Sequence, residues 1–221
     1  MKNYIFGYGS LIEKQSRTST TPDAVNAYPV QINGFVRGWW ARTGVAGFST
    51  TFLGCIAVGD AFKRVFSCTH VNGVVYEVSA ADLGKTDARE KGYTRTEVPR
   101  DAITDYTHAL DADAKVWVYL NQFSGDADLD KCLPDEHFPI VQSYADICLN
   151  GCLEIEEQFP EAKQNGFLAD FIKSTQCWSG SWANDRIYPR RPFIYCPNAF
   201  KIDALLKQHL PGCIFDSIYI E

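Results

Sequence analysis

The sequence has no long apolar run and no concentrated basic segment. Its longest uninterrupted apolar stretches are far too short to cross a bilayer, and no run of Lys and Arg exceeds two residues. With a formal net charge of −6 over 221 residues, nucleic acid is not expected as a partner, because phosphate binding needs a concentrated cationic face. The opening residues also lack the apolar core of a signal peptide. We therefore expect a cytoplasmic protein with no membrane contact.

Metal-binding and disulfide motifs are missing as well. Eight cysteines are present, but no CxxC occurs, and the four histidines do not stand at metal-ligand spacings. No metal and no other cofactor are expected, and without a signal peptide reduced thiols are the better interpretation. Cys148 and Cys152 lie four residues apart in a predicted helix. They could form a redox pair, but two small buried residues are favoured, since free cysteine mostly packs as a hydrophobe.

The familiar nucleophile and phosphate motifs are absent too. The chain contains no GxSxG elbow, no P-loop, no HExxH and no GxGxxG fingerprint. No histidine has a neighbour in sequence that marks it as the base of a triad. If the protein is an enzyme, its chemistry therefore rests on a carboxylate.

The residues that are present predict a strand-rich first part. A hydrophobic content of 46% with 22% charged residues suits a globular protein with a substantial core. Asn72-Gly73 reads as the turn of a hairpin, Ser79 as the cap of a helix over 79–90, and the polar stretch 13–26 as a surface loop that covers a site. The predicted strands are 4–8, 29–41, 52–58, 65–70, 73–78, 94–98 and 115–121.

Helical periodicity dominates the second part. Apolar residues recur three and four apart over 138–159, and further helices are predicted over 167–172 and 199–209. Pro134 and Pro139 mark the change of character, so we predict a barrel domain at 1–133 with a helical extension at 134–221 packed on it. Between the helices lies an aromatic and arginine-rich loop, whose segment Asn184–Arg191 has no assigned role from sequence.

The most informative local feature is FGYGSL at residues 6–11. Gly7 and Gly9 can adopt φ values closed to other residues and let a ligand approach the backbone. Successive N–H groups of such a loop can converge on one oxygen of a bound molecule. A plain β-turn explains the same residues about as well.

Glu90 is the best candidate for the carboxylate. It ends the predicted 79–90 helix and precedes Gly92, which would let the chain turn sharply and direct Glu90 into a cleft. A carboxylate at a helix C-terminus faces the negative end of the helix dipole, which favours the protonated form and suits proton transfer near neutral pH. The plainer interpretation is a solvated glutamate at a helix end.

Four pieces of the sequence together resemble the γ-glutamylcyclotransferase superfamily. They are FGYGSL at 6–11, GFVR at 34–37, GVVYEV at 73–78 and DAREKGY at 87–93, in the family's order. The first and last look most like the ChaC-type branch, while the avirulence-induced-gene-like proteins share the loop and the acidic residue.

This resemblance implies an α+β fold with a small mixed β-barrel of about five to seven strands and flanking helices. It implies that Glu90 is the catalytic acid/base and that a γ-glutamyl amide is converted to 5-oxoproline and a free amine. For the ChaC branch the substrate is glutathione, which releases Cys-Gly. The implied cavity is lined by Tyr8, Gly9, Ser10 and Leu11, and Tyr93 and Tyr119 are further candidates for substrate binding.

Several alternatives stay open at this stage. ChaC sequences have two glycines before the tyrosine that follows the acidic residue, and this chain has only Gly92, which leaves the glutathione assignment and the γ-glutamyl substrate open. Arg37 could meet a carboxylate, but a surface arginine at a strand edge is favoured. The arginines of Asn184–Arg191 could bind a substrate carboxylate or brace the two parts of the chain. A non-catalytic binding or stress-interaction protein on the same scaffold is the competing function, and the oligomeric state is not predicted.

Overall fold

The computed structural model describes residues 2–45, 48–59, 61–90, 92–191 and 198–220. Short and long strands occupy mainly the first 121 residues, and helices the rest. The strands are β1 (Asn3–Gly7), β2 (Tyr28–Asn33), β3 (Phe35–Val45), β4 (Phe48–Ala57), β5 (His70–Val78), β6 (Tyr93–Glu97), β7 (Ile103–Asp105), β8 (Lys115–Asn121), β9 (Ile140–Val141), β10 (Trp182–Asn184) and β11 (Tyr219–Ile220). The helices are α1 (Lys14–Thr20), α2 (Ala80–Arg89), α3 (Asp126–Asp130), α4 (Gln142–Gln158), α5 (Pro160–Gln164), α6 (Phe167–Ser174), α7 (Ala199–His209) and α8 (Gly212–Phe215).

A six-stranded mixed sheet forms the centre of the fold, in the order β6-β8-β1-β5-β2-β7. Strand β1 pairs parallel to β8 and antiparallel to β5. The α+β class with a mixed sheet and flanking helices is confirmed. Among the described residues the sheet is not closed by hydrogen bonds, since β6 and β7 each have one neighbour.

A long hairpin of β3 and β4 packs beside the central sheet. Its pairing is interrupted by an irregularity between Trp39 and Ala41, which increases the local bend. The side chain of Asn121, at the end of β8, accepts a hydrogen bond from the Cys55 N–H at 3.0 Å. This contact ties the hairpin to the central sheet.

The single strand expected over 29–41 is two strands. Gly34 separates β2 from β3 with φ at +83°, a backbone conformation that favours glycine. The break lets β2 join the central sheet and β3 join the hairpin.

The hairpin expected at Asn72-Gly73 was wrong, because both residues lie inside β5. A Cβ at Gly73 would lie 2.4 Å from the carbonyl oxygen of Gly7 on β1. Glycine is present so that two strands can approach closely, and the Asn72 side chain donates to the carbonyl oxygen of Phe167 at 2.6 Å. Tertiary packing therefore explains why Asn and Gly, which are typical turn residues, occur inside this strand.

Helices surround the sheet and extend into the second part of the chain. The stretch 13–26, expected as a loop, contains α1, because Glu13 caps it by accepting from the Ser16 N–H at 2.5 Å. The helix expected over 138–159 begins only at Gln142, after β9.

Residues of both parts share the largest apolar core, from Ile5 and Trp39 to Phe171 and Leu206. The boundary after residue 133 stays a prediction.

Candidate active site

A cavity of about 340 Å³ opens where β1 ends. It is lined by the loop after β1, the end of α2, the strands β4, β6 and β8, and helix α4. The structure brings the seven residues predicted for catalysis and substrate binding to this one cavity: Tyr8, Gly9, Ser10, Leu11, Glu90, Tyr93 and Tyr119.

The loop after β1 forms a single turn of 3-10 helix at Ser10–Ile12. The turn is closed by hydrogen bonds from Ile12 N–H to the Gly9 carbonyl at 3.0 Å and from Glu13 N–H to the Ser10 carbonyl at 3.2 Å. Within the described part of the chain, the N–H groups of Ser10 and Leu11 have no hydrogen-bond partner. This segment therefore offers two backbone donors at the edge of the cavity.

Glycine is needed at positions 7 and 9 because of close packing. Neither residue has a positive φ, which differs from the expectation of an unusual φ. A Cβ at Gly7 would lie 2.9 Å from Cβ of Leu11, and one at Gly9 would lie 2.8 Å from the hydroxyl oxygen of Tyr144. The two glycines let the loop fold back on itself and rest on α4.

Arg37 forms a hydrogen bond to the backbone of this loop. The expectation that Arg37 lies at the surface was wrong. Its guanidinium is fully buried and donates to the Tyr8 carbonyl at 3.2 Å. It also donates to the carbonyl and side-chain oxygens of Asn72 at 2.7 and 3.0 Å. Sequence reasoning could not place Arg37 because its remaining partners, Phe171, Ser174 and Thr175, come from the end of α6.

Glu90 follows the last residue of α2 at the cavity wall. The helix begins at the predicted cap, where the Asp82 N–H donates to the Ser79 hydroxyl at 3.1 Å. Gly92 has φ at +95°, so the chain turns directly after the helix, while Lys91 lies outside the described residues. The negative charge of Glu90 contributes to the raised pKa values of Tyr8, Tyr93 and Tyr119, behind burial as the largest cause.

The tyrosine hydroxyls at the cavity have fixed partners. Tyr8 donates to the carbonyl oxygen of Tyr119 at 3.0 Å, and Tyr119 donates to Oδ1 of Asp87 at 2.8 Å. Asp87 also pairs with Arg95 at 2.9 Å. Burial and the Asp87 contact together raise the pKa of Tyr119, so its hydroxyl is a neutral donor held toward α2.

Sequence reasoning missed part of the lining. Tyr144, on the buried face of α4, and Phe52, on β4, pack with ring centroids 4.6 Å apart, and Arg191 reaches the cavity from the C-terminal part. The sequence pattern did not distinguish Tyr144 from the apolar core residues of α4. Its burial raises its pKa well above the usual value.

Six cysteines of the described chain are fully or partly buried, and thiol chemistry has no support at these positions. Burial raises the pKa of Cys55, Cys68, Cys132, Cys148, Cys152 and Cys177, including Cys68, whose Sγ lies 3.0 Å from Nδ1 of His70. These groups are thiols rather than reactive thiolates. Cys148 and Cys152 are unpaired and fully buried, and Cys196 lies outside the described residues.

The described residues provide neither a metal-binding cluster nor a membrane-spanning helix. No cluster of His, Cys, Asp and Glu side chains there could hold a metal ion. No helix there has the length and apolar character to cross a bilayer.

No protein-family model and no curated protein sequence matches the chain. Solved structures do resemble it. The uncharacterized human protein loc79017 has 15% identity and a TM-score of 0.47, over 76% of this chain and 86% of that one. A γ-glutamyl cyclotransferase has 13% identity and a TM-score of 0.46 over the same shares.

A third similar structure is the γ-glutamyl cyclotransferase from yeast that is described as specific to glutathione. It has 18% identity and a TM-score of 0.45, over 78% of this chain and 95% of that one. Two of these three solved structures are thus described as γ-glutamyl cyclotransferases. At such identities the function has to be inferred from the residues of the cavity.

Proposed function

We propose that the protein is a γ-glutamylcyclotransferase, which converts a γ-glutamyl amide into 5-oxoproline and a free amine. One observation carries the proposal: Glu90 and a loop with two unbonded N–H groups line the same cavity. A cyclisation of this kind needs a proton-transfer group and hydrogen-bond donors, but no protein nucleophile. A cavity of about 340 Å³ also lies within the usual range for small-molecule sites.

The reacting groups both belong to the substrate. Its α-amino nitrogen attacks its own γ-carbonyl carbon, forms the new C–N bond of a five-membered ring, and gives a tetrahedral intermediate. Collapse of that intermediate breaks the original amide C–N bond and releases the amine. Intramolecular attack reaches effective molarities on the order of 10⁵ M or more when the groups are held in position.

The backbone of Gly9–Leu11 has the role of stabilising charge on the substrate. Negative charge develops on the γ-carbonyl oxygen during attack, and preorganised N–H donors stabilise it in a site that excludes water. The unbonded N–H groups of Ser10 and Leu11 are suited to this role. Arg37 fixes the preceding carbonyl, so the donors do not have to reorganise during the reaction.

Glu90 has the role of moving the proton. It takes a proton from the α-ammonium group, which frees the nitrogen lone pair for attack, and returns it to the departing amine nitrogen. The ring nitrogen then gives up its second proton, which the same carboxylate passes to the released amine, so that the amine leaves as an ammonium group. One carboxylate can do both in turn, so atoms and charge balance without water or a cofactor. Tyr8 and Tyr93 lie close enough to Glu90 for its charge to act on their phenols.

The substrate class we propose is glutathione or a γ-glutamyl amino acid. Release of 5-oxoproline from glutathione, γ-glutamyl-alanine and γ-glutamyl-lysine, measured with the wild type and Glu90→Gln, tests the function. We expect turnover of at least one substrate, and loss of turnover in Glu90→Gln with an unchanged circular dichroism spectrum. A wild type silent on all three substrates would favour the binding-protein alternative, and an unchanged rate in the variant would remove Glu90 from the mechanism.

A further inference from the structure

One arginine from the C-terminal part of the chain lines the cavity. Among the described lining residues, Arg191 carries the only basic side chain and Glu90 the only acidic one. The guanidinium carbon of Arg191 lies 5.6 Å from the ring centroid of Phe52, close enough for a weak cation–π contact. The described part of the lining thus contributes one cation and one anion.

A buried carboxylate fixes the backbone that presents Arg191. Asp185 accepts hydrogen bonds from the Ser143 N–H at 2.7 Å and the Ser143 hydroxyl at 2.6 Å. It also accepts from the Arg190 N–H at 2.7 Å, and the Arg191 N–H donates to the Ser143 hydroxyl at 3.3 Å. These bonds attach the loop after β10 to the first turn of α4, where Tyr144 faces the cavity.

The neighbouring arginines do structural work that Arg191 does not share. Arg186 pairs with Asp146 at 2.7 Å and with Asp203 at 2.8 Å, and Arg190 donates to the Ser49 carbonyl at 2.7 Å. No carboxylate of the described residues lies within ion-pair distance of Arg191. Its positive charge acts to lower the pKa of Tyr144 and Cys148, against the larger effect of burial.

We propose that Arg191 binds a carboxylate of the substrate, an inference that rests on the proposed function. A γ-glutamyl compound carries an α-ammonium and an α-carboxylate group, and the Glu90–Arg191 pair is complementary to both. The planar fork of a guanidinium suits bidentate binding of a carboxylate. A carboxylate on the leaving amine has the same chemistry, and the two sources are separable by substrate.

Kinetics of Arg191→Gln on γ-glutamyl-alanine and γ-glutamyl-ethylamide tests the proposal. We expect KM for γ-glutamyl-alanine to rise roughly 10- to 100-fold, the usual size for a lost hydrogen bond to a charged group, with a smaller change in kcat. An equal rise for both substrates identifies the α-carboxylate, and a rise for γ-glutamyl-alanine alone identifies that of the leaving amine. Arg191→Lys should recover part of the loss, because it keeps the charge but not the fork.

Arg100→Gln is the matched control, since Arg100 is exposed and lies outside the cavity lining. If KM of Arg191→Gln equals that of this control on both substrates, the proposal is overturned while the cyclotransferase function stands. If the wild type turns over neither substrate, calorimetric binding of γ-glutamyl-alanine decides about Arg191, and the proposed function itself fails only if glutathione and γ-glutamyl-lysine are also not turned over. Weaker binding by Arg191→Gln than by wild type supports the carboxylate site, whereas equal binding or no binding by wild type contradicts it.

Discussion

The guanidinium of Arg37 and the carbonyl oxygen of Tyr8 form a hydrogen bond of 3.2 Å behind the cavity loop. Arg37 is fully buried, and burial lowers its pKa. It makes this bond together with bonds to Asn72 on β5 and to three residues at the end of α6. One side chain thereby fixes the loop, the central sheet and the C-terminal part relative to one another.

Arg37→Met should therefore destabilise the protein. The change removes the Arg37 donors from the Tyr8 carbonyl and from both oxygens of Asn72, and each buried oxygen left unsatisfied costs about 1–3 kcal/mol. We expect the free energy of unfolding to fall by about 3 kcal/mol or more, measured by urea denaturation. Arg100→Met, at an exposed position, is the control and should change it by less than about 0.5 kcal/mol. Equal stability of the two variants would contradict the role of Arg37.

Gly9→Ala tests why glycine is needed in the loop. The new Cβ would lie 2.8 Å from the Tyr144 hydroxyl oxygen, and such overpacking costs about 1–3 kcal/mol. Because the collision is with one oxygen atom, Tyr144→Phe in the same chain should recover part of that loss. A double-mutant cycle on urea unfolding measures the coupling. If Gly9→Ala costs the same in both backgrounds, the contact with Tyr144 does not determine the requirement for glycine.

The cysteines provide a test of the redox alternative. Burial raises the pKa of Cys55 and Cys148 to about 12, so at pH 8 the thiolate fraction is on the order of 10⁻⁴. We expect the exposed Cys213 to react at once with a thiol reagent, and Cys55, Cys148 and Cys152 to react only after unfolding. Cys213→Ser is the control that should remove the fast phase. A Cys148–Cys152 disulfide after mild oxidation, detected by mass spectrometry, would contradict this prediction.

The parts of the fold that follow from local sequence were predicted well. The strand over 115–121 and the helix over 199–209 have the predicted bounds, since each has a regular apolar pattern. The prediction of a turn at Asn72-Gly73 was wrong for two reasons. The Asn72 side chain accepts a hydrogen bond from Arg37, and glycine at position 73 leaves room for the neighbouring strand β1. Such contacts join residues far apart in the chain, and no local pattern contains them.

The residues of the candidate site also fall into those that local motifs predict and those that they do not. The loop 8–11, Glu90, Tyr93 and Tyr119 could be selected from motifs and their order, although their catalytic roles remain predictions. Tyr144 and Arg191 could not, because an aromatic residue on a buried helix face and one arginine among several carry no local sign of a cavity. Arg190 contacts the first part of the chain through the Ser49 carbonyl, as the brace considered from the sequence would, whereas Arg186 pairs within the C-terminal part. Of these three arginines only Arg191 lines the cavity.

Acid should weaken the contact between Arg42 and Asp135. Burial acts to raise the pKa of Asp135, but the N–H groups of Phe138 and His137 and the Arg42 guanidinium outweigh it and hold this pKa below its ordinary value of 3.8. A lowered pKa in the folded state means that the stabilisation is complete above the unfolded-state pKa and is lost as pH falls through the folded-state pKa. Below about pH 4 the wild type should therefore lose more stability than Asp135→Asn.

The size of that effect is limited by solvent, since the Asp135 side chain is 45% exposed. We expect a difference of about 0.5 kcal/mol between the two proteins at pH 7, as for other exposed ion pairs, which disappears near pH 2. Urea unfolding at several pH values measures it. Parallel stability curves for wild type and Asp135→Asn would contradict this pH-dependent contribution.

The hydrogen bond between Tyr119 and Asp87 predicts a positioning role for Tyr119. Its hydroxyl donates to Asp87 rather than facing the cavity unpaired, and Asp87 lies one helical turn before Glu90 on α2. The bond therefore ties the end of α2 to β8 and sets the position of Glu90. Loss of such a tether should lower kcat about 10-fold with little change in KM, because misplaced catalytic groups reduce rate more than binding.

Tyr119→Phe, Asp87→Asn and the double variant distinguish positioning from substrate binding. Asp87→Asn keeps an acceptor oxygen for Tyr119 but loses the ion pair with Arg95. If the Tyr119 hydrogen bond carries the effect, Tyr119→Phe should lower kcat, and the double variant should be no slower than the slower of the two single variants. Direct substrate binding by the Tyr119 hydroxyl would instead raise KM in Tyr119→Phe and leave KM of Asp87→Asn near the wild-type value. That second pattern would return Tyr119 to the substrate-binding residues expected from the sequence.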